Sequence, residues 1–124
     1  MKTLSVKTFP WRHLCAGLLA AFFVLGGSLN LFPSEEIRAD YVRWGYPASF
    51  HIVTGILEWV TAALLVVPFS RLAGSLLGAG VMIAAAVTVV ANGEHAHAVP
   101  PLVVLALLML NGWLTWRGRA AGRD

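Results

Sequence analysis

The sequence predicts an all-α fold: an antiparallel bundle of four transmembrane helices, with a short interfacial helix after the first. Hydrophobic residues make up 58% of the 124 residues and charged residues only 12%, against a usual charged share of roughly 25%. Four apolar segments are each close to the roughly 20 residues needed to cross a bilayer. Because the hydrocarbon region holds no water, their backbone groups must pair within helices. The alternating pattern of a β-barrel strand is not visible.

The predicted spans cover residues 14–32, 50–67, 72–90 and 99–116. The link from Pro68 to Arg71 is so short that the second and third spans must form an antiparallel hairpin. Pro100 and Pro101 suit the first turn of the fourth helix, where a missing N–H group does no harm. We therefore expect residues 1–124 to form a single membrane domain.

The longest link, between the first two spans, predicts a helix of its own over residues 35–44. Ser34 is a suitable N-cap, and the two glutamates after it face the positive end of the helix dipole. Ile37, Tyr41 and Trp44 then share one face at helical spacing. This pattern favours an amphipathic helix in the membrane interface. An irregular loop is the alternative.

The positive charges predict the orientation. Seven basic residues lie on the side that holds both termini: Lys2, Lys7, Arg12, Arg71, Arg117, Arg119 and Arg123. Only Arg38 and Arg43 lie on the other side. The positive-inside rule then places both termini in the cytoplasm, with the bundle in the inner membrane. A cleaved signal peptide is the alternative for the first segment, but the apolar run of about 19 residues exceeds a usual signal core. Basic residues that flank apolar runs also exclude a nucleic-acid interface.

Glu58 is the most informative residue, because it lies near the middle of the second span. A carboxylate at that depth costs several kcal/mol, so such residues face the bundle interior and find partners. The low dielectric disfavours the charged form. Glu58 is therefore either a proton-handling or ligand-orienting acid, or the source of an interhelical hydrogen bond that fixes packing.

One stripe of the second span collects polar and small side chains around this acid. Its members are His51, Thr54, Gly55, Glu58 and Thr61. Gly74 and Gly78 would let the third span approach the stripe closely. Asn30 ends the first span at the level of His51, so polar groups gather in the outer half of the bundle.

The outer link before the fourth span adds Glu94, His95 and His97. Together with His51 they are residue types that bind zinc or iron. A solvated polar loop explains the same residues more simply, and we predict no metal. The single cysteine, Cys15, excludes an intrachain disulfide and is expected to be a small apolar helix residue.

Three stretches resemble the DoxX-like family: WGYP at 44–47, GILE at 55–58 and LLVVP at 64–68. The resemblance covers residues 26–116 and implies a small four-helix membrane protein. The family's name comes from a subunit of a thiosulfate–quinone oxidoreductase. Gly55 and Glu58 match the family's acidic second-helix pattern. Relatives often have lysine where this chain has Asn30, so a lysine–glutamate pair is not available here.

Three functions follow as hypotheses. The resemblance implies an accessory or redox-associated subunit, without independent catalysis, that binds a quinone, another lipophile or a membrane protein partner, with Glu58 and His51 as polar anchors. A small transporter could instead exchange protons at Glu58. A structural or assembly protein, including a homo-oligomer, would use Glu58 for packing alone. The sequence contains no cysteine cluster, haem-attachment signature or dinucleotide fingerprint, so no cofactor is evident.

Overall fold

The computed structural model describes residues 11–120, and this part of the chain is all-α, without a β-strand. Its α-helices are α1 (Trp11–Leu31), α2 (Glu35–Arg43), α3 (Phe50–Val66), α4 (Arg71–Ala91) and α5 (Val99–Ala120). Short 3-10 helices at Pro68–Ser70 and His95–Ala98 lead into α4 and α5. The helices begin and end close to the predicted bounds, except that α5 continues past Trp116 to Ala120.

Helix α2 forms because its first turn is capped as the sequence suggests. The Ser34 side chain accepts a hydrogen bond from the Ile37 N–H at 3.3 Å. The helix stops before Gly45, whose φ of +84° turns the chain back and is accessible mainly to glycine. Tyr41, on the predicted apolar face, is buried. The turn therefore folds α2 back toward the start of α3.

Basic side chains close the hairpin between α3 and α4. The buried Arg71 donates from Nε to the Leu65 carbonyl oxygen at 2.8 Å and from Nη2 to that of Val66 at 3.2 Å. These carbonyls end α3 and have no partner within the helix, so a cation is favourable there. Arg119 donates to the Pro68 carbonyl oxygen at 3.1 Å from the end of α5. Three other residues of the predicted basic side, Lys2, Lys7 and Arg123, lie outside the described residues.

The core and the outer surface are both apolar. Phe23, Leu65 and Leu108 are almost fully buried and form the centre of one cluster contributed by α1, α3, α4 and α5. The outward faces also carry large hydrophobic side chains, including Leu18 at 64% exposed and Leu76 at 68% exposed. Water would not tolerate such a surface on a monomer, whereas lipid is its natural solvent. The described helices are those of a membrane protein.

Glycines bring α1 and α3 into close contact. A Cβ added at Gly27 would lie 2.9 Å from the Gly55 carbonyl oxygen, and one added at Gly55 would lie 3.0 Å from that of Gly27. Helix α4 packs against Thr61 of the polar stripe, as predicted: a Cβ added at Gly78 would lie 3.0 Å from Thr61 Cγ2. Glu58 and Gly55, by contrast, face α1. The reason is that the small side chains of α1 leave room for them.

Three described helices are long and apolar enough to cross a bilayer: Trp11–Leu31, Pro68–Ala91 and His95–Ala120. Helix α3 is apolar but shorter, with 17 residues. The structure thus establishes an all-helical protein with three long apolar helices. Arg71 Nη1, at the start of α4, lies 3.1 Å from His13 Nδ1 near the start of α1. Arg119, near the end of α5, contacts Pro68 just before α4. Both ends of the described chain therefore lie at the same end of the bundle, which we call the termini end.

Candidate functional site

A cavity of about 460 Å³ lies in the half of the bundle opposite the termini end. Its walls come from the later part of α1, from α2, from the beginning of α3, from the later part of α4 and from the start of α5. The volume falls in the range of roughly 300–1,000 Å³ that is typical of small-molecule sites. Apolar side chains form most of the wall, and a few polar groups converge on it.

Glu58 provides the carboxyl group of this cavity. Its side chain lines the wall and is only 4% exposed. Oε1 accepts a hydrogen bond from Asn30 Nδ2 at 2.5 Å. Oε2 lies beside Gly26, where an added Cβ would be 2.5 Å away. Among residues 11–120 no group donates a hydrogen bond to Oε2, so this oxygen is available to a ligand.

Asn30 orients the carboxyl group. Its Nδ2 donates both to Glu58 Oε1 and, at 3.1 Å, to the Gly26 carbonyl oxygen. Because both of these partners are acceptors, the amide group that faces them must be the NH2. The amide oxygen Oδ1 then accepts a hydrogen bond from the Tyr41 hydroxyl at 2.7 Å. Because Oε1 of Glu58 accepts from an N–H, any proton on the carboxyl group must sit on Oε2. The amide is neutral, so among residues 11–120 the acid has no cation as a hydrogen-bond partner.

Tyr41 is the contribution of α2 to this network. Its phenol packs edge-on against the ring of His51, with 6.2 Å between the ring centroids. Burial, with a smaller contribution from the nearby carboxyl group of Glu58, raises the pKa of the Tyr41 hydroxyl. The phenol therefore remains a neutral donor toward Asn30 at physiological pH.

His51, predicted as a polar anchor, does not line the cavity. It is buried, and its Nδ1 lies 2.8 Å from the Asn30 carbonyl oxygen, which can only accept. Nδ1 therefore carries the proton, and the ring caps the last turn of α1. Thr54, from the same predicted stripe, does line the cavity.

The outer rim of the cavity is held by contacts between distant parts of the chain. The Arg43 guanidinium donates from Nε and Nη2 to both carboxylate oxygens of Glu94, at 3.1 and 2.9 Å. Trp44 Nε1 donates to the same carboxylate at 3.1 Å, and His97 Nδ1 lies 3.2 Å from it. We call these four residues, Arg43, Trp44, Glu94 and His97, the rim cluster. It ties α2 to the segment before α5.

A second rim contact joins the turn after α2 to α4. The Thr88 hydroxyl donates to the Ala84 carbonyl oxygen at 2.8 Å, so it accepts from the Tyr46 hydroxyl, 2.5 Å away. The Tyr46 ring stacks on Phe50 with the centroids 4.5 Å apart. Sequence spacing assigned Tyr41 and Trp44 to the apolar face of the predicted helix. Their hydrogen bonds are what the sequence reasoning missed.

The predicted outer-loop residues do not act together. Glu94 and His97 belong to the rim cluster, whereas His95 is exposed and does not line the cavity. His51 is committed to the end of α1. Within residues 11–120, no group of three or more His, Cys, Asp or Glu side chains is placed to hold a metal ion.

The rim cluster predicts a stability that depends on pH. The hydrogen bonds from Arg43 lower the pKa of Glu94 to about 2, from an ordinary 4.5. A depressed pKa contributes stability that is complete above the ordinary value and is lost as the pH falls through the lowered one. The Tm difference between the wild-type protein and Glu94→Gln should therefore be present at pH 5 and shrink from pH 4.5 towards 2. Glu36→Gln, an exposed change on α2, is the control and should leave the Tm nearly unchanged; a difference independent of pH would contradict the assignment.

Comparison with known proteins identifies the family of the chain. The sequence model of the DoxX-like family matches residues 14–111, which is well over half of the chain. None of the curated proteins matches the chain. None of the solved structures matches it either. The matched range contains all of Asn30, Tyr41, Glu58 and the rim cluster, and the chain belongs to the DoxX-like family.

Proposed function

We propose that this DoxX-like protein binds a small lipophilic molecule in the cavity beside Glu58, as an accessory or redox-associated subunit of the inner membrane. The observation that carries the proposal is the Oε2 atom of Glu58, an oxygen of a buried carboxyl group at a ligand-sized cavity, without a hydrogen bond from the described residues. Polar residues inside a membrane domain are costly and are therefore hypotheses for function. A quinone is the ligand that the family analogy suggests, and a membrane protein partner or a second copy of the chain would complete the subunit.

Gly26→Ala should test the site without unfolding the protein. The added Cβ would meet Glu58 Oε2 at 2.5 Å, and since this atom is the end of a flexible side chain, the carboxyl group would be displaced rather than the helix. Lipophile that co-purifies with the protein in nanodiscs, measured by extraction and mass spectrometry, should fall at least about tenfold, the equivalent of one lost charge-assisted hydrogen bond.

Gly17→Ala is the matched control, since nothing lies within 4 Å of a Cβ at Gly17 on the same helix. Its ligand content should equal that of the wild-type protein. Extraction of quinone and reduced-minus-oxidised spectra of the same samples would identify a redox ligand. The proposal fails if wild-type protein carries no stoichiometric lipophile and binds none that is added.

The membrane arrangement that we propose has four spans, with α3 as the fourth and α2 in the outer interface. The 17 residues of α3 are within the lower range of about 17–25 for a spanning helix. With four spans both termini share the cytoplasmic side, as the distribution of basic residues predicts. The single membrane domain would then comprise residues 1–124.

A reporter fused after Asp124 distinguishes three spans from four. With four spans, an alkaline phosphatase fusion should be inactive and a fluorescent protein fusion active, because the C-terminus is cytoplasmic. A fusion at the exposed Ala48, before α3, should give the opposite pattern. If α3 did not cross, the fusion at Asp124 would report the outside, and the four-span arrangement would be wrong.

Proton-coupled transport is the second candidate, favoured by the same oxygen of Glu58, where any proton of the carboxyl group must sit. In that case the wild-type protein in liposomes should show substrate-driven proton flux, and Glu58→Gln should abolish it. Binding without flux would leave the accessory role.

A further inference from the structure

The charges around the cavity are unbalanced. Two carboxyl groups line it, Glu58 and Asp40, and none of the described residues that line it is Lys or Arg. Asp40 shares the single positive charge of Arg43 with Glu94, and Arg43 Nη1 lies 2.9 Å from Asp40 Oδ1. Within the described part of the chain, Glu58 has only the neutral amide of Asn30 as a hydrogen-bond partner. A buried carboxyl group is stable either as the neutral acid or as a carboxylate paired with a cation, so a cationic ligand would complete this site.

The geometry of Glu58 suits a donor from the ligand. Because Asn30 donates to Oε1, the second oxygen is the one available to an N–H of a ligand. A carboxyl group and an amine share a single proton between them, so the occupied cavity would be neutral whichever atom holds that proton. His97 is the one basic side chain on the described wall, and its Nδ1 already lies 3.2 Å from Glu94 Oε1, so a phosphate on the ligand would find no Lys or Arg there. The ligand is therefore an amine rather than a zwitterionic phospholipid headgroup.

Aromatic rings surround the same space. Phe22, Tyr41, Trp44, Tyr46 and Phe50 all line the cavity. The face of an aromatic ring attracts a cation, by about 2 kcal/mol when the pair is shielded from water. Five rings beside an unneutralised acid favour a cation over a neutral molecule of the same shape.

A second cavity lies nearer the termini end of the bundle. It has a volume of about 350 Å³ and lies between α1 and α5, where Leu18, Leu19, Val104 and Leu107 contribute to an apolar wall. Phe22 lines both cavities. An alkyl chain could therefore lie in the second cavity while its polar head remains at Glu58.

We propose that the ligand is a primary-amine amphiphile with a single alkyl chain. Its ammonium group lies at Glu58 and its chain in the second cavity, between α1 and α5. This inference rests on the proposed function, since it names the chemical class of the lipophile that the cavity binds. It predicts a preference for positive charge that a quinone site would not show.

The test compares decylamine with decanol, two molecules of nearly equal shape, and with decylubiquinone. Binding to the protein in phosphatidylcholine nanodiscs is measured from the rise in Tm at equal membrane concentrations of each compound. Wild-type protein should bind decylamine at least about tenfold more tightly than decanol, as a shielded cation–π contact alone would give. Glu58→Gln should reduce this preference to about threefold or less, and Glu36→Gln should retain it.

A second measurement uses only the wild-type protein. A hydrophobic carbodiimide should label Glu58, and decylamine should protect it while decanol does not. Equal affinity for the amine and the alcohol, tighter binding of decylubiquinone than of decylamine, or an unchanged preference in Glu58→Gln would overturn the amine assignment and leave the lipophile site in place. Failure of all three compounds to bind would overturn both proposals.

Discussion

Phe23→Ala should cost about 3 kcal/mol of unfolding free energy, the lower end of the range known for buried phenylalanine. Phe23 is 0% exposed and packs in the cluster with Leu65 and Leu108. Its ring also supports α4, because Cζ would lie 3.1 Å from a Cβ at Gly78. Lipid tails are as apolar as the core, so the loss comes from packing and not from exposure to water.

The adjacent Phe22 gives the matched control for this change. The two rings touch edge to face at 5.3 Å, but Phe22 is 38% exposed. Phe22→Ala should therefore cost less than about 1 kcal/mol, as partly exposed positions usually do. The unfolding free energy of both variants is measured by adding sodium dodecyl sulfate to the protein in mild-detergent micelles. Equal costs for the two variants would mean that the core is not where we place it.

Asn30→Leu should cost about 1–3 kcal/mol, because it leaves the Glu58 Oε1 acceptor and the Tyr41 hydroxyl without their partner. The substitution also removes the side-chain N–H groups that donate to Glu58 Oε1 and to the Gly26 carbonyl oxygen. We expect α2 to loosen, since the hydroxyl of Tyr41 is its hydrogen bond to α1. Protection of the Tyr41 amide against hydrogen exchange should fall with the stability.

Asn92→Leu provides the comparison for Asn30. Asn92 is exposed, and its Nδ2 donates at 2.8 Å to the Thr88 carbonyl oxygen of its own helix. The substitution should change the free energy of unfolding by less than about 0.5 kcal/mol. If Asn30→Leu were as mild, the network around Glu58 would be dispensable, and the purely structural interpretation of the acid would lose its support as well.

The sequence predicts the helices because their signals are local. Runs of apolar residues fix α1, α4 and α5, and the Ser34 cap and the glycine after Trp44 bound α2. The burial of Glu58 could also be predicted, since a carboxylate in an apolar run must avoid lipid. These inferences need only the residue types and their spacing along one helix.

The contacts between distant segments could not be predicted in the same way. Arg43 and Glu94 are separated by 51 positions, and nothing in their local sequence pairs them. The sequence suggested His51 as a polar anchor, but its spacing could not show that its ring would lie against the Asn30 carbonyl oxygen at the end of α1. Arg71 was counted only as a basic residue of the predicted cytoplasmic side, and its spacing did not show that it would be buried against the carbonyl oxygens of α3. Such pairings depend on how the helices are arranged in space.

The brevity of α3 has a consequence for the surrounding lipid. At about 1.5 Å per residue, its 17 residues reach about 25 Å, whereas a bilayer's hydrocarbon is about 30 Å thick. If α3 spans the membrane, the bilayer beside its Arg71-capped end must become thinner by about 5 Å, a deformation that costs fractions of a kcal/mol per Å. The protein would then be surrounded by lipid of uneven depth, and thin bilayers would accommodate it with less distortion than thick ones.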